Sequence, residues 1–234
     1  MHKNNKVFCI GFSKTGTTSL EKALNHLGYK MYTGRYDNYV AHWLYACYIY
    51  GDYDEILRIT DIYDAFADAP WGGTDVYKHV YRKHPDSKYI LTLRDTEEWY
   101  ESFCNMCLKF SNDLNTCFDD FYTNGRYSFG LLFQKIFNID VIEGNEYKIK
   151  HIYDAYNQNC MGFLEKNNAD YITLNIDDEY KWEKVCKFLD KSVPNMPFPH
   201  ANRAINKDTS IKHNEDFSMI DKLKRIIISN TLKK

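Results

Sequence analysis

Residues 6–28 read KVFCIGFSKTGTTSLEKALNHLG, and this stretch decides the fold. Residues 6–10 form a short apolar run that stops at Gly11, the pattern of a strand buried on both faces of a parallel sheet. Leu20, Ala23, Leu24 and Leu27 then recur at helical spacing, and Gly28 closes the run as a C-terminal cap would. Between strand and helix stands GFSKTGTT, residues 11–18. Gly11 and Gly16 permit a tight backbone path, the loop amides can turn inward, and the helix adds the positive end of its dipole, so the segment suits a bound anion. A capping box of Thr18 and Glu21 would explain the helix start without any ligand. It would leave Lys14 and Thr17 unexplained.

The rest of the chain repeats the alternation. Strands are expected at residues 63–67, 88–93 (KYILTL) and 171–176, and helices at 38–50, 75–83, 97–109, 146–166 and 181–190. Each helix is long enough for a crossover connection, so the expected fold is α/β, a mostly parallel central sheet flanked by helices. Residues 110–142 are aromatic-rich and irregular and are expected to form a helical insert, a candidate lid or acceptor-side subdomain. In residues 215–234, Phe217, Ile220, Leu223 and Ile227 share one face, which predicts an amphipathic C-terminal helix docked on the body of a single domain spanning residues 1–234.

Composition narrows the function classes. With 44% hydrophobic and 26% charged residues the chain can bury a sizeable core. Thirty Lys and Arg against 32 Asp and Glu supply no field to hold nucleic acid or an anionic bilayer. No long apolar stretch suggests a signal peptide or membrane span, so no integral membrane association is expected. The seven cysteines are odd in number and scattered, which favours reduced thiols and a cytoplasmic location. Cys104 and Cys107 form a C-x-x-C on a helical pattern and read as two core-facing residues, since no second ligand pair at metal spacing accompanies them.

The loop has the glycine spacing of G-x-x-x-x-G-K-[ST], but Thr17 follows Gly16 and the loop's lysine is Lys14. No acidic residue closes the strand at 88–93 to hold magnesium, so ordinary ATP or GTP hydrolysis is disfavoured. Lys, a small residue, Gly, Thr, Thr in this place resembles the sulfotransferases. In that family an Arg closing a later strand and a Ser on the next helix hold the 3′-phosphate of the donor, 3′-phosphoadenylyl sulfate (PAPS). Arg94 closes KYILTL here, and Ser102 follows eight residues later, the family's spacing. The runs ILTLRDTEEWYESF (90–103), FADAP (66–70) and WEKVCKFLDKSVPNMPFPHANRA (182–204) extend the likeness, patchily, from residue 6 to about residue 204.

The resemblance implies a P-loop nucleotide-binding fold, PAPS as sulfuryl donor, adenosine 3′,5′-bisphosphate as product, and no metal. Lys14, Thr15, Gly16, Thr17 and Thr18 would hold the 5′-phosphosulfate, with Lys14 neutralising charge on the leaving oxygen. Arg94 and Ser102 would hold the 3′-phosphate, a task suited to a planar guanidinium fork. Asp68 stands where the family places its base, although an Asp before Ala-Pro equally starts a turn. His79 and His84 on the following helical stretch offer alternatives. Ser19 replaces the Trp that many cytosolic members use to stack adenine, and the late Gly-x-x-Gly-x-x-Lys segment has PFPHANR (197–203) in its stead, either a closure over the donor or a rigid surface turn. The acceptor is expected to be a hydroxyl or amine of a small molecule or glycan. Tyr39, Trp43, Tyr45, Tyr48 and Tyr50 would line its pocket or pack as core. A small-molecule or nucleotide kinase, and a non-catalytic binding protein on the same scaffold, are the alternatives.

Overall fold

The computed structural model describes residues 5–32, 39–123 and 126–201. They lie in one compact unit ending at Ala201. The helix expected at 215–234 therefore falls outside the described residues, as do Asn202 and Arg203. Five strands, β1 (Val7–Cys9), β2 (Met31–Tyr32), β3 (Ala65–Phe66), β4 (Lys88–Leu93) and β5 (Asp170–Asn175), form one sheet in the order β2-β3-β1-β4-β5. Every pairing is parallel, with Phe8 opposite Phe66 on one side and Tyr89 on the other. This is the α/β architecture expected from the alternating pattern.

Successive strand residues point to opposite faces, and the core divides accordingly. Val7, Cys9, Ala65 and Ile90 pack against Leu20 and Leu24 of α1 (Thr17–His26) and Val185 and Leu189 of α9 (Lys181–Leu189). Phe8, Ile10, Phe66, Tyr89 and Leu91 face the larger side. There they meet α2 (Tyr39–Tyr50), α4 (Val76–Lys83), α5 (Thr96–Cys107) and α8 (Glu146–Lys166) through Leu44, Val80, Trp99 and Tyr153. α3 (Tyr53–Ile59) is a short connection capped by Asp52, whose side chain accepts from the Glu55 amide at 3.3 Å.

The stretch 110–142 contains α6 (Cys117–Thr123) and α7 (Tyr127–Phe137). Its Phe121, Phe129, Phe133 and Phe137 belong to the same buried cluster as Phe8 and Trp99, so these helices are part of the main core. The aromatic residues of α2 are shared between core and surface: Tyr45 is buried with its ring 6.0 Å from Phe129, whereas Tyr50 is exposed. All seven cysteines are free, and Cys107 is buried while Cys104 is half-buried. Among the described residues no helix is long and apolar enough to cross a membrane.

Candidate active site

The C-terminal ends of β1, β3 and β4 deliver three turns to one edge of the sheet, where open α/β sheets place their ligands. At the centre, Gly11 leaves no room for a side chain. A Cβ there would lie 2.0 Å from Thr92 Oγ1 and 2.5 Å from the Thr92 carbonyl oxygen. A Cβ on Gly72, in the turn after β3, would lie 2.0 Å from the Gly11 carbonyl oxygen.

Beyond Gly11 the loop is braced from within. Thr15 Oγ1 donates to the Phe12 carbonyl at 2.6 Å and lies 2.6 Å from Thr92 Oγ1. A threonine hydroxyl carries one proton, so Thr92 must be the donor to Thr15. The Cys9 thiol, 3.7 Å from Thr92 Oγ1, completes the relay as donor, because burial pushes its pKa up to about 12 and keeps the proton on sulfur. Thr15 therefore offers its hydroxyl to the protein and shapes the loop.

Two residues of the loop adopt left-handed backbone, Lys14 at φ 76° and Gly16 at φ 96°. The conformation is natural for Gly16 and costs Lys14 on the order of 1–3 kcal/mol, strain of the kind that gathers at functional sites. Helix α1 starts at Thr17 with Gly16 as N-cap and no side-chain cap bond, so Thr18 does not take the capping position that its spacing from Glu21 allows. Among the described residues, the amides of Lys14, Gly16 and Thr17 donate to no backbone or side-chain acceptor. These open donors at a helix start make the loop a candidate anion cradle. Thr17 is buried, and Thr18 is half-buried in the first turn.

The Lys14 side chain is half-buried, and among the described residues its ammonium has no ion pair. Burial holds its pKa below the ordinary lysine value. The charge of Lys109 lowers it further, Asp68 opposes, and Arg94 adds a smaller depression. Lys109, in the turn that ends α5, acts on Lys14 through its charge and is absent from the site residues expected from the sequence. In the sequence it is merely the last residue of the helix expected at 97–109.

Arg94 follows β4 as expected. Its Nε donates to Glu98 Oε2 at 3.3 Å, while its terminal nitrogens have no partner among the described residues. Asp95 is occupied as the N-cap of α5, accepting from the Glu97 and Glu98 amides at 2.9 and 3.1 Å. Ser102 lies one helical turn beyond Glu98, on the same face of α5, is half-buried, and has no side-chain hydrogen bond among the described residues.

Asp68 closes the turn from the β3 side, itself in left-handed backbone at φ 66°. Its Oδ1 accepts from Ser13 Oγ at 2.5 Å and from the Ala69 amide at 3.0 Å, tying it to the loop after β1. Oδ2 has no partner among the described residues. His79 and His84 turn toward α3 instead: His79 stacks on Tyr53 at 3.8 Å, and His84 Nε2 is 2.7 Å from Thr60 Oγ1. The segment 197–201 returns to α1, where the Ala201 amide donates to Ser19 Oγ at 3.1 Å.

An open groove of about 460 Å³ lies elsewhere, between α9 and residues 193–198. Of the residues above, Pro197 and Phe198 alone line it, and it presents Glu179 and Glu183, whose charge would repel an anionic nucleotide. Among the described residues no cluster of His, Cys, Asp or Glu is arranged to hold a metal ion.

Residues 6–206 match the sulfotransferase domain. The chain is also 26% identical over 216 residues to the Ava biosynthesis cluster protein M of Aspergillus versicolor, an alignment that covers 83% of this chain and 80% of that protein. Sequence match and parallel-sheet architecture agree, and the chain belongs to the sulfotransferase domain family.

Proposed function

We propose that the protein is a PAPS-dependent sulfotransferase acting on a hydroxyl or amine of a small-molecule or glycan acceptor. The observation that carries this reading is the half-buried Lys14 ammonium, without an ion pair among the described residues, beside open loop amides. A cation held partly out of water without a counter-ion gains most from a ligand that brings one. The open amides, the free terminal nitrogens of Arg94 and Ser102 fit a nucleotide carrying anionic groups at two positions. When bound, the donor supplies a sulfuryl group already activated for transfer.

The roles of the chain's own residues follow from their chemistry. Loop amides with Thr17 and Thr18 hold the 5′ end, and Arg94 with Ser102 holds the 3′-phosphate. Lys14 stabilises the negative charge that grows on the departing phosphate oxygen, an electrostatic task that needs no proton transfer. Asp68 keeps Oδ2 for the acceptor proton while Oδ1 remains bound to Ser13. The free thiols support a reducing compartment, the cytoplasm.

Calorimetric titration with adenosine 3′,5′-bisphosphate tests the donor assignment, with magnesium ATP as control. Binding of the bisphosphate is expected. Binding of magnesium ATP alone would reject the reading. Arg94→Ala should weaken the bisphosphate by roughly 10- to 100-fold, the loss of a charge-assisted contact, and leave adenosine 5′-phosphosulfate nearly unchanged. Equal losses for both ligands would remove Arg94 from the 3′-phosphate.

The lowered Lys14 pKa has a visible consequence in pH dependence. Lys14 loses its proton, and with it the ligand, at lower pH than an ordinary lysine would. Bisphosphate affinity should fall as pH rises through that lowered pKa. Removing the neighbouring positive charge in Lys109→Gln raises the Lys14 pKa, so the alkaline limb should move to higher pH. An unmoved limb would show that Lys109 does not act on Lys14.

A further inference from the structure

The loop after β1 and the turn after β4 come from sequence positions about eighty residues apart, and a ligand bridging them needs their separation fixed. Backbone pairing reaches only part of the way. β1 and β4 pair as far as Cys9 and Ile90, with one more hydrogen bond from the Ile10 amide to the Ile90 carbonyl at 3.0 Å. Past that point a pair of aromatic side chains continues the connection.

Trp99, on α5, donates from Nε1 to the Ser13 carbonyl at 3.0 Å. Tyr153, on α8, accepts from the Arg94 amide at 3.1 Å and donates to the Arg94 carbonyl at 2.9 Å. The two rings are stacked, centroids 4.0 Å apart and 8° from parallel. Both residues are buried, Trp99 at 0% and Tyr153 at 1% exposure, so their polar atoms meet the loop and the turn rather than water. Phe12, in the loop itself, sets its ring edge-on to Trp99 at 5.4 Å and tilted against Tyr153 at 5.6 Å.

We propose that Trp99 and Tyr153 are positioning residues, a stacked strut that holds the Ser13 backbone and the Arg94 backbone at the spacing required by a nucleotide with phosphates at both ends. The inference rests on the donor site described under the proposed function. Trp99 grips one turn by its single N–H. Tyr153 grips the other by both its donor and its acceptor, which ties down the two peptide groups on either side of the Arg94 Cα from which the side chain departs. Ordinary core packing explains two buried rings. It does not explain why each ring's polar atom meets the backbone of a different ligand-bearing turn, since buried N–H and O–H groups are satisfied by any acceptor in reach.

Tyr153→Phe tests the strut, because the ring and its stacking on Trp99 remain and the hydroxyl alone is lost. Affinity is measured by calorimetry for adenosine 3′,5′-bisphosphate and for adenosine 5′-phosphosulfate, with thermal melting as a check on folding. The expected result is a roughly tenfold loss for the bisphosphate, with less than a twofold change for the ligand lacking the 3′-phosphate. Trp99→Phe, which releases Ser13, should weaken both ligands. Losses in Tyr153→Phe that are equal for the two ligands, or no loss at all, would overturn the strut and leave the donor site standing. Failure of the unaltered protein to bind either nucleotide would overturn the donor site, and the strut's purpose with it.

Discussion

Lys14→Met should reduce sulfuryl transfer by a factor on the order of 100 to 1000, the usual loss when one preorganised electrostatic contact to the developing charge is removed. The melting temperature should meanwhile stay level or rise. The two effects share one cause. The lysine is half-buried, with the charges of Lys109 and Arg94 outweighing that of Asp68, and its depressed pKa means that the folded state disfavours the proton relative to the unfolded chain. Stability lost in this way is fully lost below the folded pKa and returns as pH rises past it toward the unfolded value. A methionine of similar length removes the charge and keeps the packing. Activity within a few-fold of the original would remove Lys14 from the transfer step, and a clear fall in melting temperature would show that the charge has a protein partner.

Gly11→Ala should be the most damaging single-methyl change in the loop region, costing about 1–3 kcal/mol or more through overpacking. The new methyl would sit 2.0 Å from Thr92 Oγ1, and rotating that side chain does not help, because the Thr92 carbonyl oxygen and amide nitrogen are at 2.5 and 2.9 Å. β1 and β4 must part, which breaks the Thr15–Thr92 contact and loosens the cradle. Bisphosphate affinity should fall with stability. Gly162→Ala is the contrasting control: on α8 a Cβ there meets nothing within 4 Å, so this change should stabilise by roughly 0.5–1 kcal/mol. Denaturant melts of both variants decide the matter. A Gly11→Ala protein as stable as its parent would contradict the close approach.

The fold was legible wherever a pattern was long or a motif carried its own punctuation. Residues 88–93 and 146–166 are β4 and α8 to the residue, and residues 6–28 hold strand, loop and helix as read. β2 escaped because two residues cannot display a period, and α3 because a seven-residue helix with one buried side chain, Ile56, shows no stripe. The cap signal Asp52-x-x-Glu55 after Gly51 was nevertheless present in the sequence.

The site divides in the same way. Lys14, Gly16 and Arg94 lie in short local motifs beside strands, and the structure brings their turns to one sheet edge. The bond between Ser13 and Asp68 spans fifty-five positions, and that between Arg94 and Tyr153 spans fifty-nine. Such pairings arise from the folded path alone, and no local spacing announces them. Lys109 is the extreme case, an ordinary surface lysine until α5 carries it toward Lys14.

The relay from Cys9 through Thr92 and Thr15 to the Phe12 carbonyl runs in one direction and closes entirely within the protein. The curvature of the loop is thus written by the floor of the sheet and does not wait for an occupant. Capture of a nucleotide then freezes few backbone rotations, so most of the attraction survives as affinity. How fast the encounter happens becomes a question of long-range charge steering and of salt, with no slow rearrangement of the loop to gate it.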